Sequence, residues 1–158
     1  MRASAIRSFE RSLPMLLLRS REAVMSYFRP LLSEYGLTEQ QFRVIRAVHA
    51  AREIEVGALA DRCSILPASM TGILKRLQAR GLVERHGTTE DRRRSLVRLT
   101  PDAVCLLVEI GPHSEERYAE IERRFGTERT EQLYRLLGEL EAALTRPATT
   151  SGPDRESR

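Results

Sequence analysis

The sequence predicts a mainly α chain carrying one small β-hairpin, with helices at both ends whose apolar stripes exceed what a single small lobe can cover. Three observations carry this reading. Apolar residues recur at three- and four-residue steps over most of the chain. The period switches once, between Leu82 and Leu99, where two short strand-like runs flank a polar stretch. Leu133, Leu136, Leu137, Leu140 and Leu144 line one side of the last amphipathic segment.

Residues 1–11 show no periodicity and read as a loose arm. From Leu13, the residues Leu16, Leu17, Val24, Phe28 and Leu31 form an amphipathic stripe, which Met15, Leu18, Met25 and Leu32 broaden to more than one face. Pro30 lies inside the pattern and should kink the helix, and Gly36 should cap its end. Thr38 with Gln41 forms a capping box that opens a second helix through Phe42, Ile45 and Val48. Ile54 to Val56 reads as a short strand. A third helix, Val56 to Cys63, turns Val56, Leu59 and Ala60 inward. Pro67 suits the first position of a fourth helix, where its missing N–H is of little consequence. That helix runs to Ala79, with Gly81 past its end and a buried stripe of Ile65, Met70, Ile73, Leu74 and Leu77.

Leu82, Val83 and Arg85 form one strand, and Leu96, Val97 and Leu99 the other. The charged loop Gly87 to Arg94 joins them into a hairpin. Thr100 caps, and Pro101 starts, a fifth helix through Ala103, Leu106, Leu107 and Ile110. Gly111-Pro112 should break or kink it before it resumes through Tyr118, Ile121 and Phe125. A sixth helix follows Thr127. Residues 147–158, rich in Pro, Ser, Thr and Gly, read as a disordered tail.

With 158 residues, 41% hydrophobic and 30% charged, the chain can build one real core. No run approaches the ~18 apolar residues of a membrane span, so the expectation is a cytoplasmic protein with no membrane partner. The net charge of +4 is unevenly spread. Arg62 to Arg98 holds nine basic residues against three acids, whereas the chain from Leu99 onward holds eight against twelve. A basic segment on an otherwise acidic scaffold suits a nucleic-acid face.

Helix, helix, helix, hairpin is the order of a winged helix-turn-helix. One helix fits a major groove ~12 Å wide, the preceding helix braces the backbone, and the hairpin reaches a neighbouring groove. Off the buried stripe of the fourth helix lie Ala68, Ser69, Thr71, Gly72, Lys75 and Arg76. The short hydroxyls can meet base edges or phosphates, and the cations a turn later suit phosphates. Gly72, ~1 kcal/mol worse than alanine in a helix, makes sense where DNA must come close.

The segment Leu77-Gln78-Ala79-Arg80-Gly81-Leu82-Val83-Glu84-Arg85, followed by Asp91-Arg92-Arg93 and Arg98-Leu99-Thr100, resembles the MarR family signature. The likeness spans roughly residues 12–146. It implies a transcription regulator in which Arg93 enters the minor groove and Asp91 orients the wing. Arg92 and Arg94 then meet phosphates. Where many members carry a polar cap and an arginine at the start of the recognition helix, this chain has Leu66 and Pro67. Leu16 to Pro30, Gly36 to Arg43 and Thr71 to Leu74 resemble family members that regulate homoprotocatechuate (4-hydroxyphenylacetate) degradation operons. That likeness implies repression relieved by an aromatic acid or its thioester.

In this family ligands lie between the helical scaffold and the DNA-binding lobe. The resemblance therefore makes Arg19, Arg21, Arg43, Arg46 and His49 candidate carboxylate partners, since arginine offers bidentate geometry. Met25, Phe28 and Phe42 are the candidate apolar walls. The bland reading of each is a solvated arginine or an ordinary core residue.

The organisation expected is a first dimerisation and pocket helix at 12–36, a winged lobe at 37–100, dimerisation helices at 101–146 and a tail at 147–158. Leucine stripes bared at both ends exceed what monomers tolerate, so an isologous homodimer on a pseudo-palindromic DNA operator is expected. The competing reading is a thiol-based redox regulator using Cys63 or Cys105, although buried structural thiols fit both better. An enzyme is the remote reading: GxSxG, P-loop, GxGxxG and HExxH motifs are missing. His49, His86 and His113 lie scattered without ligand spacing, so neither metal nor cofactor is expected.

Overall fold

The computed structural model describes residues 8–87 and 95–145. It holds six helices, α1 (Leu13–Glu34), α2 (Glu39–Ala51), α3 (Val56–Arg62), α4 (Pro67–Ala79), α5 (Pro101–Phe125) and α6 (Thr127–Thr145). Three strands, β1 (Glu53–Glu55), β2 (Val83–Gly87) and β3 (Ser95–Leu99), form one antiparallel sheet in the order β1-β3-β2. The chain divides into two compact units, Met1–Arg117 and Tyr118–Arg158.

Helix ends in the first unit are set by local chemistry. Thr38 accepts a hydrogen bond from the Gln41 amide, and the Gln41 side chain accepts one from the Thr38 amide, completing the capping box. After α1 the Leu37 amide reaches back to the Leu32 carbonyl and Gly36 to Ser33, with Gly36 at φ +63°. After α4 the same pair of bonds joins Leu82 to Leu77 and Gly81 to Gln78, with Gly81 at φ +67°. Both are Schellman closures, and the left-handed residue in each is a glycine because a Cβ is strained there. After α3 the same closure places Ser64 at φ +49°.

The core of the first unit brings Leu31 and Leu32 of α1 onto Val44, Ile45 and Val48 of α2 and onto the inner faces of α3 and α4. Val97 of β3, and Ala103 and Ile110 of α5, close it. All five residues expected for the α4 stripe are buried. The sheet register pairs Glu53 with Arg98 and Glu84 with Arg98, tying β1 and β2 to β3. In the second unit, Thr130 donates its hydroxyl to the Gly126 carbonyl at the start of α6. Leu133, Leu136, Leu137 and Leu144 remain exposed on the chain by itself.

Several expectations are corrected. Phe9–Arg11 forms one 3-10 turn instead of continuing a loose arm. The short strand begins at Glu53, one residue before Ile54, because pairing with Arg98 fixes its start. Helix α3 ends at Arg62, with Cys63 as its cap. Helix α5 is not broken at Gly111-Pro112. Pro112 lies inside the continuous helix, between buried Ile110 and buried Ser114. Pro30 likewise lies inside an uninterrupted α1, followed by buried Leu31 and Leu32. The α1 stripe buries only Phe28, Leu31 and Leu32 within the chain; Leu13, Leu16, Leu17, Leu18 and Val24 stay open.

Candidate nucleic-acid interface

Helix α4 has one inward face and one outward face. Met70, Ile73, Leu74 and Leu77 are buried, while Ala68, Ser69, Thr71, Lys75 and Arg76 are exposed. This division follows from 3.6-residue periodicity and aims the short side chains of the first turns and the cations of the next one away from the core. Gly72 sits half-buried on that outward side. A Cβ built there would meet nothing nearer than the Arg76 guanidinium at 3.8 Å, an ordinary contact. The fold therefore does not require glycine at this position. The Thr71 hydroxyl donates to the Pro67 carbonyl at 3.2 Å, which leaves its oxygen able to accept.

The start of α4 is unusual. Its N-cap is Leu66, which offers no side-chain cap and is 76% exposed. Sequence reasoning noted Leu66 as a departure from the family pattern but gave it no role. At the other end, Arg80 donates through Nη1 to the Gly36 carbonyl at 2.6 Å and through Nη2 to the Tyr35 carbonyl at 3.1 Å. The last turn of α4 is thus fastened to the end of α1. Nothing in the sequence announces that bond, because its partners lie 44 and 45 residues away.

The root of the hairpin is cross-linked by side chains on both faces of the sheet. Arg98 pairs with Glu84 at 2.8 Å, and His86 Nε2 lies 2.9 Å from Glu53. Arg85 donates to the Ser95 hydroxyl at 3.2 Å. These ties span all three strands. Asp91, Arg92, Arg93 and Arg94 lie outside the described residues.

The candidate ligand residues fall into two groups. Arg21 is held by carboxylates, with Glu22 at 2.7 Å and Glu39 at 2.5 Å, and Arg29 binds the same two acids. Burial pushes the Glu39 carboxyl up, but hydrogen bonds and charge from Arg29 and Arg21 prevail and hold it below its usual range. The same two carboxylates raise Arg29, which stays charged. Phe28 is buried, and Met25 and Phe42 pack half-buried against the core. Arg46 is exposed with its guanidinium 5.8 Å from the Phe42 ring centre, and Arg19 is exposed. His49 lines a cleft of about 420 Å³ with Arg52, Leu99 and Val104, none of which the sequence reading placed among the ligand candidates. Proximity to His49 was a weak signal for Arg52. Its left-handed backbone, φ +64° at the end of α2, was not legible.

Cys63 is buried against Arg43, whose guanidinium donates to the Cys63 carbonyl at 3.0 Å. Burial raises the Cys63 thiol above its ordinary range, and the nearby Arg43 and Arg62 charges only oppose this. A raised thiol holds little of the thiolate that reacts with oxidants. Cys105 is exposed on α5, which corrects the expectation that both thiols are buried. Among the described residues no group of three or more His, Cys, Asp or Glu could hold a metal ion, and no helix is long and apolar enough to cross a membrane.

A profile of the MarR family matches residues 35–94. The homoprotocatechuate degradative operon repressor of Escherichia coli is 41% identical over 128 residues, covering 81% of this chain and 86% of that protein. The HTH-type transcriptional regulator FarR of Neisseria gonorrhoeae is 41% identical over 78% of this chain and 85% of its own length. Among solved structures, NadR in complex with 4-hydroxyphenylacetate superposes with a TM-score of 0.74 at 39% identity, over 85% of this chain and 96% of that one. The first two relatives carry the names of transcription regulators.

Proposed function

The chain belongs to the MarR family of winged-helix transcription repressors, and on that premise we propose that it controls an aromatic-acid catabolic operon and leaves its DNA when an aromatic carboxylate or its thioester binds. The observation that supports operator reading best is the outward face of α4: five exposed small, hydroxylated or cationic residues over a fully buried stripe. Ala68, Ser69, Thr71 and Gly72 face base edges and sugar, Lys75 and Arg76 face phosphates, and Arg93 of the wing takes the minor groove with Asp91 orienting it. Arg92 and Arg94 add phosphate contacts. The regulator acts as a homodimer through its bared end-helix leucines, so that two α4 helices enter successive major grooves about 10 base pairs apart.

The aromatic ligand is supported by the 41% identity to a homoprotocatechuate operon repressor and by the 39% identity to NadR, solved with 4-hydroxyphenylacetate. Of the candidate residues, Arg46 over Phe42 best combines an exposed cation with an aromatic wall. Arg21 would have to exchange Glu39 for the ligand carboxylate. Arg19, Met25, Phe28 and His49 complete the candidate set.

Gel shifts on the DNA immediately upstream of its own reading frame, repeated with 4-hydroxyphenylacetate, homoprotocatechuate and related acids, test both parts. Release of the shifted band by one of these acids at micromolar concentration is expected. If calorimetry finds no aromatic acid binding below millimolar concentration, the ligand reading is wrong while the DNA-binding one stands.

A further inference from the structure

Leu66 holds a position at which helices ordinarily place a capping hydroxyl or carboxamide. It is the N-cap of α4, its side chain caps nothing, and at 76% exposure it belongs to no core. Helix stability alone argues against it, since an aliphatic N-cap is worse than Ser, Thr, Asn or Asp by ~1 kcal/mol. Pro67 locks the next residue at a helical φ, and the Leu66 carbonyl accepts the Met70 amide at 2.9 Å. The leucine is thus rigidly presented at the tip of the helix, just ahead of exposed Ala68 and Ser69. The residues at this end of a recognition helix are the ones that meet base edges. Only one apolar group is displayed in the major groove, the thymine C5-methyl.

We propose that Leu66 is a specificity-determining residue of this regulator, which reads a thymine methyl in each operator half-site. The proposal rests on α4 being the recognition helix. The chemistry suits the residue: a branched aliphatic side chain gains by covering a methyl and gains nothing at cytosine, adenine or guanine edges, whose polar groups it would desolvate unpaired. It also explains why the cap is given up. A serine here would satisfy an amide of the first turn yet leave the methyl in water.

The test uses full-length protein and a duplex selected by that protein from a random-sequence DNA pool. Each thymine of the selected site is replaced singly by uracil, which removes only the methyl. For the wild type, uracil at one position per half-site is expected to weaken binding about fourfold, the value of one buried methyl-sized group. For Leu66→Ala and Leu66→Ser the same replacement is expected to change nothing, because the partner group is gone. Leu66→Ser gains a capping hydroxyl and should melt no lower than wild type, which separates the effect from unfolding. The proposal is overturned if no thymine position shows methyl dependence, or if the Leu66 variants lose as much as wild type at that position. Wild-type protein that enriches no common sequence would instead overturn the recognition-helix reading itself.

Discussion

Arg80, the C-cap residue of α4, grips the carbonyls of Gly36 and Tyr35 with two guanidinium nitrogens, so the end of α4 hangs on the end of α1. A fork of this kind fixes orientation as well as distance, and a lysine ammonium cannot reproduce it. Arg80→Met and Arg80→Lys should both weaken binding to a selected operator several-fold while leaving binding to scrambled duplex unchanged. The dependence on salt should keep its slope, since no phosphate contact is lost. A slope lowered by about one would show that Arg80 touches DNA instead.

Gly72→Ala should move stability and affinity in opposite directions. The new methyl meets only ordinary contacts, so the helix gains ~1 kcal/mol and the melting temperature rises. If the small residue serves close approach to the groove, operator affinity falls in the same variant. Thermal melting and fluorescence anisotropy on one preparation check both signs, and an unchanged affinity would return Gly72 to a residue without function.

Lys75→Ala and Arg76→Ala should each reduce the slope of log affinity against log salt by about 0.9 per lost phosphate contact, for specific and scrambled DNA alike. Both residues are exposed on α4, so the folded protein should lose little stability. Unchanged slopes in both variants would place phosphates elsewhere.

Stability should carry an acid-side signature from Glu39. Its carboxyl is held below the ordinary 4.5 in the folded chain, so the folded state binds fewer protons than the unfolded state. The contribution is therefore complete above the unfolded value and disappears as pH falls through the folded one. Urea midpoints of wild type and Glu39→Gln should differ at pH 7 and converge towards pH 3. A difference that persists at pH 3 would assign the effect to packing.

The Cys63 thiol should be silent in the native protein. Buried and raised above its usual range, it should react with a disulfide reagent only after unfolding. In a Cys105→Ser background, native protein at pH 8 should show no fast-reacting thiol, and urea should expose one per chain. Fast labelling of native protein, with loss of DNA binding, would revive the redox reading.

Several features of this chain are local and were therefore legible in the sequence. The Thr38–Gln41 box, Pro67 at the head of α4, and the glycines at 36 and 81 act within one helical turn of themselves. The α4 stripe needed only a period of 3.6 to divide core from interface. What needed the tertiary structure acts over distance. Gly111-Pro112 looked like a break because a proline's local effect is disruptive, yet α5 runs through it with Ile110 and Ser114 buried on either side. Arg21 and Arg46 read alike on the chain. Yet Arg21 finds Glu39, 18 residues on, while Arg46 stacks beside Phe42. Arg52 and Ser64 adopt left-handed backbone with no glycine to announce it, because closing α2 and α3 against the core outweighs a local penalty of order 1–3 kcal/mol. Sequence thus determined which residues face inward and where helices start. Only the folded chain decided which cations pair with which carboxylates and which helix ends are tied together, because those outcomes depend on partners that come near only when the core has closed.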